Sequence, residues 1–181
     1  MNLTLYSVSD EYIRFLRSKD SNVYSNKENN RTHSRKYLGV VYEIESYRYF
    51  IPLSSPKSSD YQKAGDGYVI KKSIVPIIRL VNRDRKGNKQ LIGTLRVSHM
   101  IPVPDSELEK YDVNSEIDER YKSLIQDELM CIRRNSDRII SNARLLYKQK
   151  SEGDTSAGYV KTALDFKKIE SYCDMWEKLR G

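Results

Sequence analysis

Ser54, Ser55 and Lys57 close the segment Tyr47 to Lys57, YRYFIPLSSPK, where an aromatic-rich run passes into two hydroxyls, a proline and an ammonium group. Hydroxyls beside a cation are the parts needed to act on an RNA phosphodiester. The substrate's own 2'-hydroxyl is the nucleophile, so the protein has to position it and stabilise the charge that develops on the phosphorane. Arg35 and Lys36 supply two further cations just ahead of the preceding strand-like run. Taken alone, Ser-Ser-Pro-Lys is also an ordinary turn.

Other routes to chemistry find little support. The two histidines, His33 and His99, would both be needed at one phosphate in a ribonuclease of the two-histidine type. His99, in VSHMIPV, reads as structural, and His33 as a residue of a basic loop that is either solvated or available to phosphate. Carboxylates fall in adjacent pairs, Asp118-Glu119 and Asp127-Glu128, not in the separated arrangement of a metal nuclease. No Walker loop, GxSxG elbow or zinc-ligand spacing occurs. Neither a metal nor a cofactor is expected.

The elements that must hold these residues follow from period and punctuation. Leu3 and Leu5 alternate as a short strand. Ser7 and Asp10 then have capping-box spacing ahead of a helix with Val8, Tyr12, Phe15 and Leu16 on one face. Residues 19 to 35 are polar and basic and are expected to form a long exposed loop. Tyr37 to Ile44 and Tyr47 to Leu53 predict an antiparallel hairpin about Glu45-Ser46, and Ser58 to Asp66 a second loop. Val69 to Val81 and Gln90 to Val103 read as strands joined by a cationic tip containing Arg83, Arg85, Lys86 and Lys89. Beyond Pro104 the period is helical. A polar step at Asn135-Ser136 allows one bent helix or two, and a final amphipathic helix follows the linker Ser151 to Gly158. A twisted antiparallel sheet, barrel-like and partly closed, is therefore predicted to pack on C-terminal helices in an α+β fold.

Composition bounds the partner. The chain has 181 residues, enough for one domain over 1–181, and a formal charge of +7, which favours a polyanion such as nucleic acid. Its 14 tyrosines often adjoin basic residues, where rings and cations could stack splayed bases, although strands also favour tyrosine. Cys131 and Cys173 lie in helical patterns without CxxC spacing and read as reduced core thiols. No signal-peptide pattern and no apolar run of membrane-spanning length is present, so a cytoplasmic protein without membrane association is expected.

FIPLSSPK at 50–57 resembles the P-L-[ST]-S-P-K core of the ToxN/AbiQ endoribonuclease toxins of type III toxin-antitoxin systems. LYSVSDEYIRFL is similar to that family's first strand and helix, YLGVVYEI to its next strand, HMIPVP to its closing strand, and the helix containing IRRNSD to its long helix. The resemblance implies a compact β-barrel core like that of the Kid and MazF toxins, decorated by a short N-terminal helix and long C-terminal helices. It implies metal-independent RNA cleavage leaving 2',3'-cyclic phosphate and 5'-hydroxyl ends, in a phage-defence (abortive infection) system. The implied partner is a repeated pseudoknot RNA antitoxin that the toxin processes and that inhibits it within a protein-RNA hetero-oligomer.

The same resemblance assigns Ser55 as catalytic serine, Ser54 as its neighbouring hydroxyl, Lys57 as the motif lysine and Tyr12 as the tyrosine of the first helix. Arg35 aligns with the family lysine ahead of the next strand, with Lys36 one residue away. Arg binds phosphate bidentately but is a poor proton carrier, so either residue could fill the role. The family's loop tyrosine has no aligned counterpart; Arg31 or His33 could fill its space, or Tyr24 or Tyr37 could reach in. Arg79, Arg83, Arg85, Lys86, Lys89 and Arg96 are expected to contact RNA. Two other classes remain: a non-catalytic RNA-binding module, and a barrel toxin poisoning a protein such as gyrase.

Overall fold

A computed structural model describes residues 3–27 and 32–181. β1 (Thr4–Val8) leads into α1 (Asp10–Lys19), whose cap is Ser9: its hydroxyl accepts from the Tyr12 amide, with Asp10 and Glu11 in the first turn and Arg17 and Lys19 in the last. The expected capping residue Ser7 is instead still in β1, paired with Glu109. Residues 19 to 35 are not simply exposed. Val23 and Asn26 are buried, and the Asn26 side-chain amide donates to the Val8 carbonyl and to Asp10 Oδ1, both at 2.9 Å.

β2 (Tyr37–Ile44) and β3 (Tyr47–Ser54) form the predicted hairpin, with Glu45 at φ 54° in the turn. Both are central strands, so Tyr49, Phe50 and Ile51 are all buried and the alternation of a one-sided strand is lost. Gly39 is required here because a Cβ would strike the Phe50 ring. Residues 58 to 66, expected as a loop, contain a 3-10 turn at Ser58–Asp60 and β4 (Tyr61–Ala64), which pairs β5 (Gly67–Ile70) in a separate two-stranded sheet. The run expected as one strand from Val69 breaks before β6 (Ile77–Arg83). The next, β7 (Lys89–Arg96), ends in a 3-10 turn at Val97–His99 ahead of β8 (Ile101–Pro102).

With β9 (Leu108–Lys110) the main sheet runs in the order β6-β7-β3-β2-β1-β9, with β8 also on β3. It is antiparallel but open: β9 has three residues and pairs with β1, so β6 and β9 do not meet and the expected barrel does not close among the described residues. Asn135 divides the helical region in two, capping the end of α2 (Glu119–Arg134) and beginning α3 (Ser136–Ser151). After α4 (Gly158–Thr162) comes α5 (Phe166–Arg180). α2 lies on β6 and β7, α3 on β2, and α5 against α1 and β8. Cys131 and Cys173 are buried free thiols, and no helix among the described residues is long and apolar enough to cross a membrane.

Candidate active site

Ser54 is the last residue of β3 and still pairs with Thr94, so it is held by the sheet and buried; Ser55 and Lys57, one step beyond, are exposed. What stops this turn from wandering is Asp60. Its carboxylate is fully buried. One oxygen accepts from the Lys57 amide at 2.9 Å and from Arg96 Nη2 at 3.2 Å, while the other meets Arg79 Nε and Nη2 at 3.1 Å. A buried carboxylate is tolerable only when paired and hydrogen-bonded, and here two guanidinium groups face one acid, leaving a positive surplus under the turn.

Arg35 approaches from the other side. Its Nη1 donates to the Leu53 carbonyl at 2.9 Å and to Ser54 Oγ at 2.6 Å, and its Nε donates to the Ser25 carbonyl at 3.0 Å. The guanidinium also lies 4.8 Å from the centre of the Tyr24 ring, and Lys57 Nζ lies 5.7 Å from it. Tyr24 in turn stacks on His99, centroids 4.2 Å apart and planes 23° apart. Burial and the charges of Arg96, Lys57 and Arg35 pull the His99 pKa down to about 4. Lys36, largely buried, sits 4.6 Å from the Tyr111 ring centre and lines a cavity of about 40 Å³ with Ser54, Ser55, Tyr121 and Glu128.

Ser54, Ser55, Lys57, Arg35 and Lys36 thus come together around one turn, whereas several other sequence-predicted residues do not. Tyr12 is fully buried, packs 5.6 Å from Trp176 and donates its phenol hydrogen to the Pro102 carbonyl at 2.7 Å, so its predicted contact with substrate is corrected to a core role. Tyr37 is buried in β2 and is likewise no RNA contact. Arg79 and Arg96, predicted to bind RNA, are buried against Asp60 and act on the turn from within. His33 stacks face to face on Tyr121 at 3.7 Å and pairs with Asp118 at 3.2 Å, joining the basic loop to the start of α2. Arg83, Arg85, Lys86 and Lys89 are exposed on the β6–β7 tip. Arg31 lies outside the described residues. Sequence reasoning missed Asp60, since a lone Asp in a polar stretch has no periodic signal; His99, read as structural, lies against Tyr24, which is distant in the chain. Among the described residues no three His, Cys, Asp or Glu side chains gather as a metal cage.

Residues 4–174 match the family described as toxin ToxN of the type III toxin-antitoxin systems. The chain belongs to that family. Its relatives place this ToxN-family chain among the endoribonucleases. It is 30% identical to the endoribonuclease ToxN of Bacillus thuringiensis subsp. kurstaki, covering 98% of this chain and 86% of that protein. It is 32% identical to the endoribonuclease AbiQ of Lactococcus lactis subsp. lactis, covering 98% and 91%. A solved structure of AbiQ, a lactococcal anti-phage endoribonuclease, matches with a TM-score of 0.76 at 29% identity, covering 98% of this chain and 99% of that one. A second, from a type III system in which a non-coding RNA pseudoknot selectively inhibits the toxin, matches with a TM-score of 0.75 at 28% identity over 98% and 99%.

Proposed function

We propose that this chain is a cytoplasmic, single-domain RNA endonuclease toxin that cuts without metal and is held in check by a repeated pseudoknot RNA. The observation that carries the reading is an exposed Ser55 and Lys57 on a turn locked from below by Asp60, Arg79 and Arg96. Ser55 orients the 2'-hydroxyl of the nucleotide 5' to the cut. Lys57 and Lys36 neutralise charge on the phosphorane, while Arg35, which donates to Ser54 and to two carbonyls, also sets the strand end from which Ser55 projects. Attack by O2' leaves a 2',3'-cyclic phosphate and a 5'-hydroxyl. The exposed cations of the β6–β7 tip extend the positive surface along an RNA chain, which suits an antitoxin that is cut into repeats and then retained in a protein-RNA assembly, the basis of an abortive response to phage.

The test is cleavage of RNA by purified protein in EDTA, with the ends of the products analysed. Cyclic phosphate ends and a loss of about 10²-fold or more in rate for Ser55→Ala are expected. No cleavage at any enzyme concentration would sink the nuclease reading, and cleavage that requires added metal would remove its metal independence. A Ser55→Ala protein cutting at full rate would remove only the role given to that serine. Because Ser55 is exposed, the substitution should leave stability within about 0.5 kcal/mol.

A further inference from the structure

We propose that His99 is the proton-transfer residue of this site, its Nε2 taking the proton of the attacking 2'-hydroxyl. The inference rests on the endoribonuclease reading above and supplies the base that reading lacks. At the turn itself Asp60 is buried and held by two arginines, Arg35 cannot give up a proton, and a serine needs a base of its own.

His99 is built into the site rather than near it by accident. Its ring is half-buried at the end of the turn after β7, flat against Tyr24, whose ring also faces Arg35 and Lys57. One aromatic ring therefore joins the imidazole to cations that gather phosphate. Ser98 Oγ, 2.9 Å from Nδ1, fixes the other edge. With Nδ1–H donating to that hydroxyl, the lone pair lies on Nε2. The charged groups acting on the ring are Arg96, Lys57 and Arg35, which favour the neutral form, and Asp20 at the end of α1, which opposes them. In the free protein the imidazole is thus unprotonated across the neutral range, but it is a weak base. A bound phosphodiester brings negative charge to the same cations and restores its proton affinity, so the base strengthens when substrate is present.

The step balances as follows. The O2' proton moves to Nε2 as the O2'–P bond forms; the P–O5' bond breaks, and the leaving O5' takes a proton from the Lys57 ammonium. Exchange with water then removes the proton from His99 and returns one to Lys57.

The experiment is single-turnover cleavage of a synthetic RNA oligonucleotide from pH 4 to 8, beside binding of the same oligonucleotide with a 2'-deoxy residue at the cut. Wild type is expected to lose rate as the pH falls through the His99 value in the RNA complex, which lies above the free-protein value of about 4. His99→Gln, which keeps size and a hydrogen bond, should lose about 10²–10⁴-fold in rate and lose the acidic limb, with binding within about twofold. Full activity in His99→Gln, a retained acidic limb, or a fall in binding that accounts for the fall in rate would overturn the proposal. Ser98→Ala keeps the imidazole but frees its tautomer, and should reduce the rate while retaining a limb; an unchanged rate would count against the assignment, whether or not His99→Gln folds. A wild-type protein that cuts nothing would instead remove the nuclease reading.

Discussion

Asp60→Asn separates the electrostatics of the turn that carries Ser55 and Lys57 from its shape. The asparagine keeps the planar side chain and an oxygen for the Lys57 amide, but it removes the charge that two guanidinium groups face at 3.1 and 3.2 Å. Those side chains are only 5% and 9% exposed, so water cannot take over. Removing one partner of a buried ion pair costs about 3–5 kcal/mol, chiefly the penalty of the charge left behind. For a chain of this size each kcal/mol lowers Tm by about 2–4 °C, which gives a fall of about 10 °C. With an m-value of about 2 kcal/mol/M, the urea midpoint should drop by about 2 M. Equilibrium urea unfolding followed by circular dichroism is the assay, and Arg79→Met in the same chain should recover part of the loss by removing one stranded cation. A midpoint within about 0.5 M of wild type would refute the view that this carboxylate is what holds the turn.

Tyr12→Phe should cost about 1 kcal/mol through the lost hydrogen bond to Pro102 and leave RNA cleavage unchanged; a tenfold rate loss without a stability change would return Tyr12 to the active site. Replacing Arg83, Arg85, Lys86 and Lys89 by alanine should weaken antitoxin RNA binding and flatten its logarithmic salt dependence by about 0.7 per lost phosphate contact. An unchanged slope would show that the β6–β7 tip stays off the RNA. Burial alone would raise the Glu107 carboxyl, but hydrogen bonds from Ser9 and Trp176 and the charge of Arg180 bring it below its ordinary value. A depressed folded pKa means stability that is present above about pH 4.3 and lost as pH falls through the folded value. Thermal melts from pH 7 to 3 should therefore show a gentler acid decline in Glu107→Gln, and identical slopes would contradict the assignment.

The hairpin of β2 and β3 was legible because β-branched and aromatic runs flank two turn residues, a local pattern that tertiary packing reinforced. Tyr12 shows the opposite case. Helical spacing with Phe15 and Leu16 put it on the buried face, although Val8, counted in the same pattern, lies in β1; only the family resemblance drew Tyr12 toward substrate. Tyr37 carried no such warning, since a central strand covered on both faces loses the two-residue period. Open versus closed sheet is equally illegible, because it turns on how few residues β9 contributes and which neighbour they take. Asp60 escaped for a related reason: its partners stand 19 and 36 residues further along, and nothing local ties an Asp in SSPKSSD to either arginine.

That long reach along the chain has a consequence for how a cell can make such a protein safely. Ser55 and Lys57 leave the ribosome well before Arg79 and Arg96, and the Asp60 carboxylate lacks both guanidinium partners until those residues arrive and fold back against it. Each growing chain therefore carries Ser55 and Lys57 on an unlocked turn through much of its synthesis, and a polypeptide truncated anywhere before Arg96 would leave the lock beneath the turn incomplete.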